Sequence, residues 1–228
     1  MTETLFDLSA EYQQMLRQGV DLTGEDPSYF MRRRVADVKR SLPPLWRVNR
    51  ILDFGCGIGE SSAYLAGVFP GAAVVGIDTA ANALRTAQER YGSPRVTFGT
   101  LDLLGRTGRF DLCYVNGVFH HIEPAQRPGI VLSIRNCLSP GAWFALWENN
   151  PWNPGTRMVM SRIPFDRDAK TLSYLEAQNL VKAAGFQLGA PTRFLFYFPR
   201  SLSFLRSTER FFVHLPLGGQ YCVLARNL

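Results

Sequence analysis

From Val48 onward, short apolar runs alternate with stretches of helical spacing, and this rhythm limits the fold more than any other feature. Residues 50–54, 73–77, 96–98, 111–115 and 142–147 read as strands. Between them lie a helix over 60–68, one over about 79–91 with Ala80, Leu84, Ala87 and Tyr91 on one face, and one over about 129–138. Ala142-Trp-Phe-Ala-Leu-Trp147 is apolar throughout, as a parallel strand covered on both faces should be. The alternation predicts an α/β chain: an open, doubly wound, mostly parallel sheet with helices on both faces. Ligands of such a sheet bind beyond the carboxyl ends of its strands, so the loops after the strands should carry the chemistry.

The flanks extend this plan within a single domain over 1–228: a helical cap (1–46), the core (47–148), and an insert with the last strands (149–228). In the cap, Asp26-Pro27 starts a helix carrying Met31, Val35, Val38 and Leu42, which Pro43-Pro44 ends. A shorter helical segment is expected over 11–18. In the tail, Ser173-Tyr-Leu-Glu176 reads as a capping box and Gly185 as the helix stop. Strands over 193–198 and 220–225, with a helix over about 202–214 between them, bring the strand total to seven.

Composition removes several classes. The 46% hydrophobic and 19% charged residues are the proportions of a soluble globular protein. No run approaches the roughly 20 apolar residues of a membrane span. The acidic start, Met1-Thr-Glu-Thr, lacks the features of a secretory signal, so a cytoplasmic protein is expected. Cys56, Cys113, Cys137 and Cys222 are too scattered for a metal knuckle or a disulfide framework and are expected to be buried thiols. The net charge of +6 is nearly all arginine spread along the chain, with Arg32-Arg33-Arg34 as its densest run, which disfavours a nucleic-acid partner.

Asp53-Phe-Gly55-Cys56-Gly57-Ile-Gly59 is the strongest local signal. It follows a strand and opens a helix, where glycines let the backbone turn tightly and approach a ligand. A dinucleotide fingerprint needs glycine three positions after Gly57, and Glu60 stands there instead. The acidic-x-G-x-G-x-G pattern is complete, and on it the chain resembles the class I S-adenosylmethionine-dependent methyltransferases. That resemblance implies a Rossmann-like seven-stranded sheet with its last strand antiparallel, and S-adenosyl-L-methionine as cofactor. Asp78, ending the second strand with Thr79 after it, is placed to accept from ribose hydroxyls. By the same resemblance Asp102 and Leu103 meet the adenine, and Asn116 with Gly117 approaches the methionine portion.

His120 and His121 then lie where an acceptor would arrive, and an imidazole near pKa 6.5 suits a general base at neutral pH. A metal held by His120, His121 and Glu123 is poorly motivated, and no metal is expected. Asn149-Asn-Pro-Trp152 is similar to the Asn-Pro-Pro-aromatic motif of amino-directed DNA and protein methyltransferases, but it follows the fifth strand rather than the fourth. Tyr12, Tyr29, Trp152 and Arg157 are the expected substrate contacts, with Phe30 beside them and Arg32 or Arg34 for a carboxylate. The resemblance implies transfer to oxygen or nitrogen (less readily carbon) of a small molecule, or of a sugar- or lipid-linked intermediate in natural-product or glycan biosynthesis. The alternatives are an RNA methyltransferase and a non-catalytic S-adenosylmethionine-binding regulator. The Phe-rich stretch near 202–215 is read as core or a homodimer face, with peripheral membrane contact as the other option.

Overall fold

A computed structural model describes residues 18–105, 108–166 and 169–228. Most of the expected 11–18 helix, and with it Tyr12, lies outside the described residues. The strands are β1 (Arg50–Phe54), β2 (Ala73–Ile77), β3 (Val96–Gly99), β4 (Phe110–Asn116), β5 (Leu138–Asn149), β6 (Phe186–Leu188), β7 (Arg193–Leu195) and β8 (Gln220–Asn227). The helices are α1 (Pro27–Ser41), α2 (Glu60–Val68), α3 (Ala81–Tyr91), α4 (Arg127–Cys137), α5 (Pro154–Arg162), α6 (Tyr174–Ala183) and the short α7 (Glu209–Phe212). No helix among the described residues is long and apolar enough to cross a membrane.

The sheet order is β3-β2-β1-β4-β5-β8-β6, with β7 also on β8. β1 to β5 pair in parallel, and β8 runs antiparallel to β5. This is the doubly wound, mostly parallel sheet expected from the alternation. The strand count differs. β6 pairs with the 225–227 end of β8 and β7 with its 220–222 end, so one edge position holds two short strands rather than the single strand expected over 193–198. Three residues of β6 are too few to show a two-residue period. Beyond Leu195 the chain turns aside at Phe196, whose φ is 67°.

Alternation along the strands sends neighbours to opposite layers. Leu52, Phe54, Val115, Phe144 and Leu146 pack on one face with Val131 and Ile134 of α4 and Val181 of α6. Ile51, Leu112, Tyr114, Ala145 and Trp147 pack on the other with Leu65 of α2 and Val35 and Val38 of α1. α1 starts as its sequence directs, with Asp26 accepting from Ser28 N at 2.8 Å and Pro27 at the first position. Buried Asp37 ties it to β7 by accepting from Arg193 Nε at 2.9 Å and Nη2 at 2.7 Å. The helix expected over 202–214 is instead 3-10 turn from Arg200 to Thr208, kinked at Leu202, followed by α7. Thr208 Oγ1 turns back to donate to Leu205 O, a local bond that competes with a regular helix.

Candidate active site

The glycine loop after β1 forms the floor of a cavity of about 300 Å³ at the carboxyl ends of the strands. Gly55 has φ 75°, and a Cβ there would stand 2.3 Å from Val118 Cγ2, so no other residue fits. At Gly57 φ is 52° and nothing stands within 4 Å of where a Cβ would be, so bare backbone faces the cavity. Asp78 lines the wall and accepts from Gly57 N at 2.8 Å, Thr79 N at 2.7 Å and Ala80 N at 3.0 Å. The carboxylate thus clamps the glycine loop to the turn before α3. Ala80, not Thr79, holds the helix N-cap position, and Thr79 lines the cavity. Ile58, Leu101, Ile122 and Ile130 add apolar walls.

Several residues expected in contact with cofactor stand behind or beside this cavity. Asp53 is buried and accepts from Ser61 and Ser62 hydroxyls at 2.6 Å each, bracing the loop against α2. Burial lifts its pKa to about 6 despite those two bonds. Gly59 (φ 85°) makes room for the Phe98 ring and Ala87, so its role is helix–sheet packing. Cys56 is buried with its thiol pushed up by desolvation, and the other three cysteines are buried and free as well. Leu101 lines the cavity where Asp102 and Leu103 were expected. Asp102 instead accepts from the Thr100 hydroxyl.

A second cavity of about 470 Å³ lies under the cap and the insert. Tyr29, Phe30, Arg34, Asn153, Thr156, Met160, Asp166, Phe196 and Arg206 are among its walls. Trp152 and Arg157 are not. Trp152 is 50% exposed, with its ring edge-on to Tyr174 at 5.1 Å, and Arg157 points to solvent from α5. Neither residue is therefore placed for the substrate contact expected of it. The α5 residues at helical spacing from Asn153 face inward in their place. The two cavities share Asn116, Gly117 and His121. Asn116 Oδ1 is buried there without a hydrogen-bond partner, as a ligand-facing acceptor would be.

The two histidines differ sharply. His120 is 4% exposed and wedged between carboxylates, with Nδ1 2.6 Å from Glu148 and Nε2 3.3 Å from Asp166. Burial alone would lower its pKa, but Glu148 and Asp166 outweigh that and raise it to about 10. At neutral pH His120 is an imidazolium with no lone pair to offer, so the base role expected of it does not hold. His121 is more open, lines both cavities, and has Nε2 3.3 Å from Asp166 Oδ1. Burial pushes Asp166 upward, but hydrogen bonds from both histidines prevail and hold it below the ordinary carboxylate range. Glu148 also accepts from Val118 N and Phe119 N at 3.0 and 2.7 Å, pinning the loop between the cavities. Glu123, the other acid near the pair, bonds Lys170 at 2.6 Å. The donor atoms of His120, His121 and Asp166 lie within 4.8 Å of one another and satisfy each other as hydrogen-bond partners.

The family described as "Methyltransferase domain" matches residues 52–144, the span that supplies the glycine loop, Asp78, Asn116 and both histidines. Over that span the chain is similar to a methyltransferase domain. An uncharacterized methyltransferase from Synechocystis is 36% identical over 101 residues, covering 43% of this chain and 46% of the relative. A trans-aconitate 2-methyltransferase from Paracidovorax citrulli is 32% identical over 134 residues, covering 55% of this chain and 50% of that one. The matches thus span half or less of these relatives' length. The fold matches a TehB-like S-adenosylmethionine-dependent methyltransferase from Corynebacterium glutamicum with a TM-score of 0.61 at 18% identity, over 95% of this chain and 96% of that one.

The residues lining the first cavity fit S-adenosyl-L-methionine, the cofactor expected from the glycine loop. Over bare glycine backbone, the strand-end carboxylate of Asp78, the apolar walls and the orphaned Asn116 side-chain oxygen suit a ribose, a purine and an amino-acid end respectively. Glu148 and Asp166 were missed by sequence reasoning, because they lie 28 and 46 residues from His120 and carry no spacing signal.

Proposed function

We propose that this chain moves the methyl group of S-adenosylmethionine in line to an oxygen or nitrogen of a small organic acceptor, free or carried on a sugar or lipid, held in the larger cavity. The observation that carries the reading is the meeting of the two cavities at Asn116, Gly117 and His121. The bound cofactor supplies an electrophilic methyl on a sulfonium. What remains for the protein is orientation, exclusion of water and removal of a proton. Holding two reactants in line is worth up to about 7–11 kcal/mol of barrier.

His121 takes the proton from an acceptor hydroxyl or ammonium. Its Nε2 stands 3.3 Å from Asp166 Oδ1, and that carboxylate stabilises the imidazolium that forms. Glu148 holds the preceding turn rigid through Val118 and Phe119, so the imidazole is presented from a fixed backbone. The test is His121→Gln, with methyl transfer followed over a panel of hydroxyl and amine acceptors. Turnover should fall roughly 10²–10³-fold while adenosylhomocysteine affinity stays unchanged. Undiminished turnover removes the base.

Arg34 favours a second reading, a carboxylate acceptor. It lines the larger cavity at 8% exposure, its Nε has no partner, and Nη1 bonds the neutral Gln220 amide oxygen at 2.8 Å. Among the described residues no carboxylate pairs with it. The Paracidovorax relative is named for a carboxylate anion, aconitate. A carboxylate has no proton to lose, so on this reading His121→Gln leaves turnover intact while Arg34→Met raises KM.

A further inference from the structure

The segment between Pro199 and Gly219 presents an apolar surface that is exposed among the described residues. Phe204 is 74% exposed and Phe211 70%, and Leu202, Phe212, Leu215 and Leu217 are exposed with them. Six large apolar side chains in one short segment exceed the scattered singles of an ordinary surface. Within the segment the exposed charges have one sign. Glu209 is the only carboxylate from 199 to 219, and it is buried in a 3.1 Å ion pair with Arg33. Arg200 and Arg210 are exposed, and the Arg210 guanidinium lies 4.7 Å over the Phe211 ring. An exposed aromatic carrying a cation on its face is the pairing that suits the boundary between lipid headgroups and acyl chains.

The same segment forms part of the acceptor cavity's rim. Arg206 lines the cavity and pairs with Glu25 at 2.8 Å, and Arg200 Nη1 donates to Gly24 O at 3.3 Å. Leu22, beside these contacts, and Met158 of α5 line the cavity while 45% and 54% exposed, so its mouth is apolar. On the far side Asn153 Nδ2 donates to Leu217 O at 2.6 Å.

We propose that the 199–219 segment docks this protein on the surface of an anionic lipid bilayer, with Phe204 and Phe211 inserted at the interface and Arg200 and Arg210 on the headgroups. Charge complementarity selects this occupant over a second copy of the chain, because two copies would bring like-charged arginines together. The cavity mouth then opens beside the membrane. The docking itself does not depend on the acceptor assigned above.

The test is co-sedimentation of the full chain with vesicles of phosphatidylcholine alone and of phosphatidylcholine with phosphatidylglycerol. Wild type should partition onto the anionic vesicles, and added salt should weaken it. Phe204→Asp with Phe211→Asp should reduce partition by about tenfold or more, and Arg210→Gln by about fivefold, the weight of one cation near such a surface. Adenosylhomocysteine affinity and circular dichroism should be unchanged in all variants, since none of these residues lines the cofactor cavity. No partition at low salt, or equal partition of wild type and the double variant, overturns the proposal. So does a dimer in sedimentation equilibrium that the double variant dissociates, because the face would then be a subunit contact.

Discussion

Replacing His120 with glutamine tests the buried charge cluster most directly. His120 stands between Glu148 and Asp166, and protonation is favoured there so strongly that its pKa rises from 6.5 to about 10. At about 1.4 kcal/mol per pH unit, that gap is worth roughly 5 kcal/mol of stability. Since the folded pKa is raised, the contribution is complete below pH 6.5 and is lost as pH climbs through about 10. Glutamine keeps a hydrogen-bonding end but no charge, and it leaves two buried carboxylates facing a neutral group. Removing one partner of a buried ion cluster costs about 3–5 kcal/mol, in line with the first figure. Urea unfolding at a series of pH values reads both effects. The variant should be less stable by about 3–5 kcal/mol at pH 6.5, and the gap should close toward pH 10. A constant gap across that range, or one below about 1 kcal/mol at pH 6.5, refutes the imidazolium.

Three more substitutions probe the frame around the site. Asp78→Asn removes the charge that clamps Gly57 and the start of α3, and should weaken adenosylhomocysteine binding about tenfold to a hundredfold with little loss of fold. Unchanged affinity in calorimetry would remove Asp78 from the cofactor site. Gly55→Ala forces a side chain into the left-handed region and against Val118, at a cost of about 2–5 kcal/mol. A neutral effect on the unfolding midpoint would mean the loop has a different path. Asp37→Ala strands the Arg193 guanidinium between α1 and β7 and should cost about 3–5 kcal/mol. A change within about 0.5 kcal/mol would show that this pair is dispensable.

Where the sequence was legible, the governing interactions were local. β1, the glycine loop and α2 are contiguous from Arg50 to Val68, and the pattern that shapes each of them lies within a few residues of it. The capping box at Ser173 and Glu176 forms as written, closed within one helical turn. Legibility failed where a segment's conformation depends on what covers it. β6 is a strand because the 225–227 end of β8 offers it an edge, and nothing in Phe186-Gln-Leu188 announces that. The Arg200–Thr208 stretch carries apolar residues at helical intervals, yet it winds as 3-10 turn over the acceptor cavity.

The alternating apolar runs and Asp53-x-Gly-x-Gly-x-Gly59 by themselves determined the layered sheet and the place of the nucleoside cavity, because backbone geometry and strand period act over short stretches of chain. The division of labour between adjacent histidines belonged to tertiary structure alone. His120 and His121 are chemically identical in the sequence, and only the arrival of Glu148 from β5 and Asp166 from the insert encloses one between two carboxylates while the other lines both cavities. Protonation follows the field of groups brought together by folding, and that field is set by distances across space, which residue order does not encode locally.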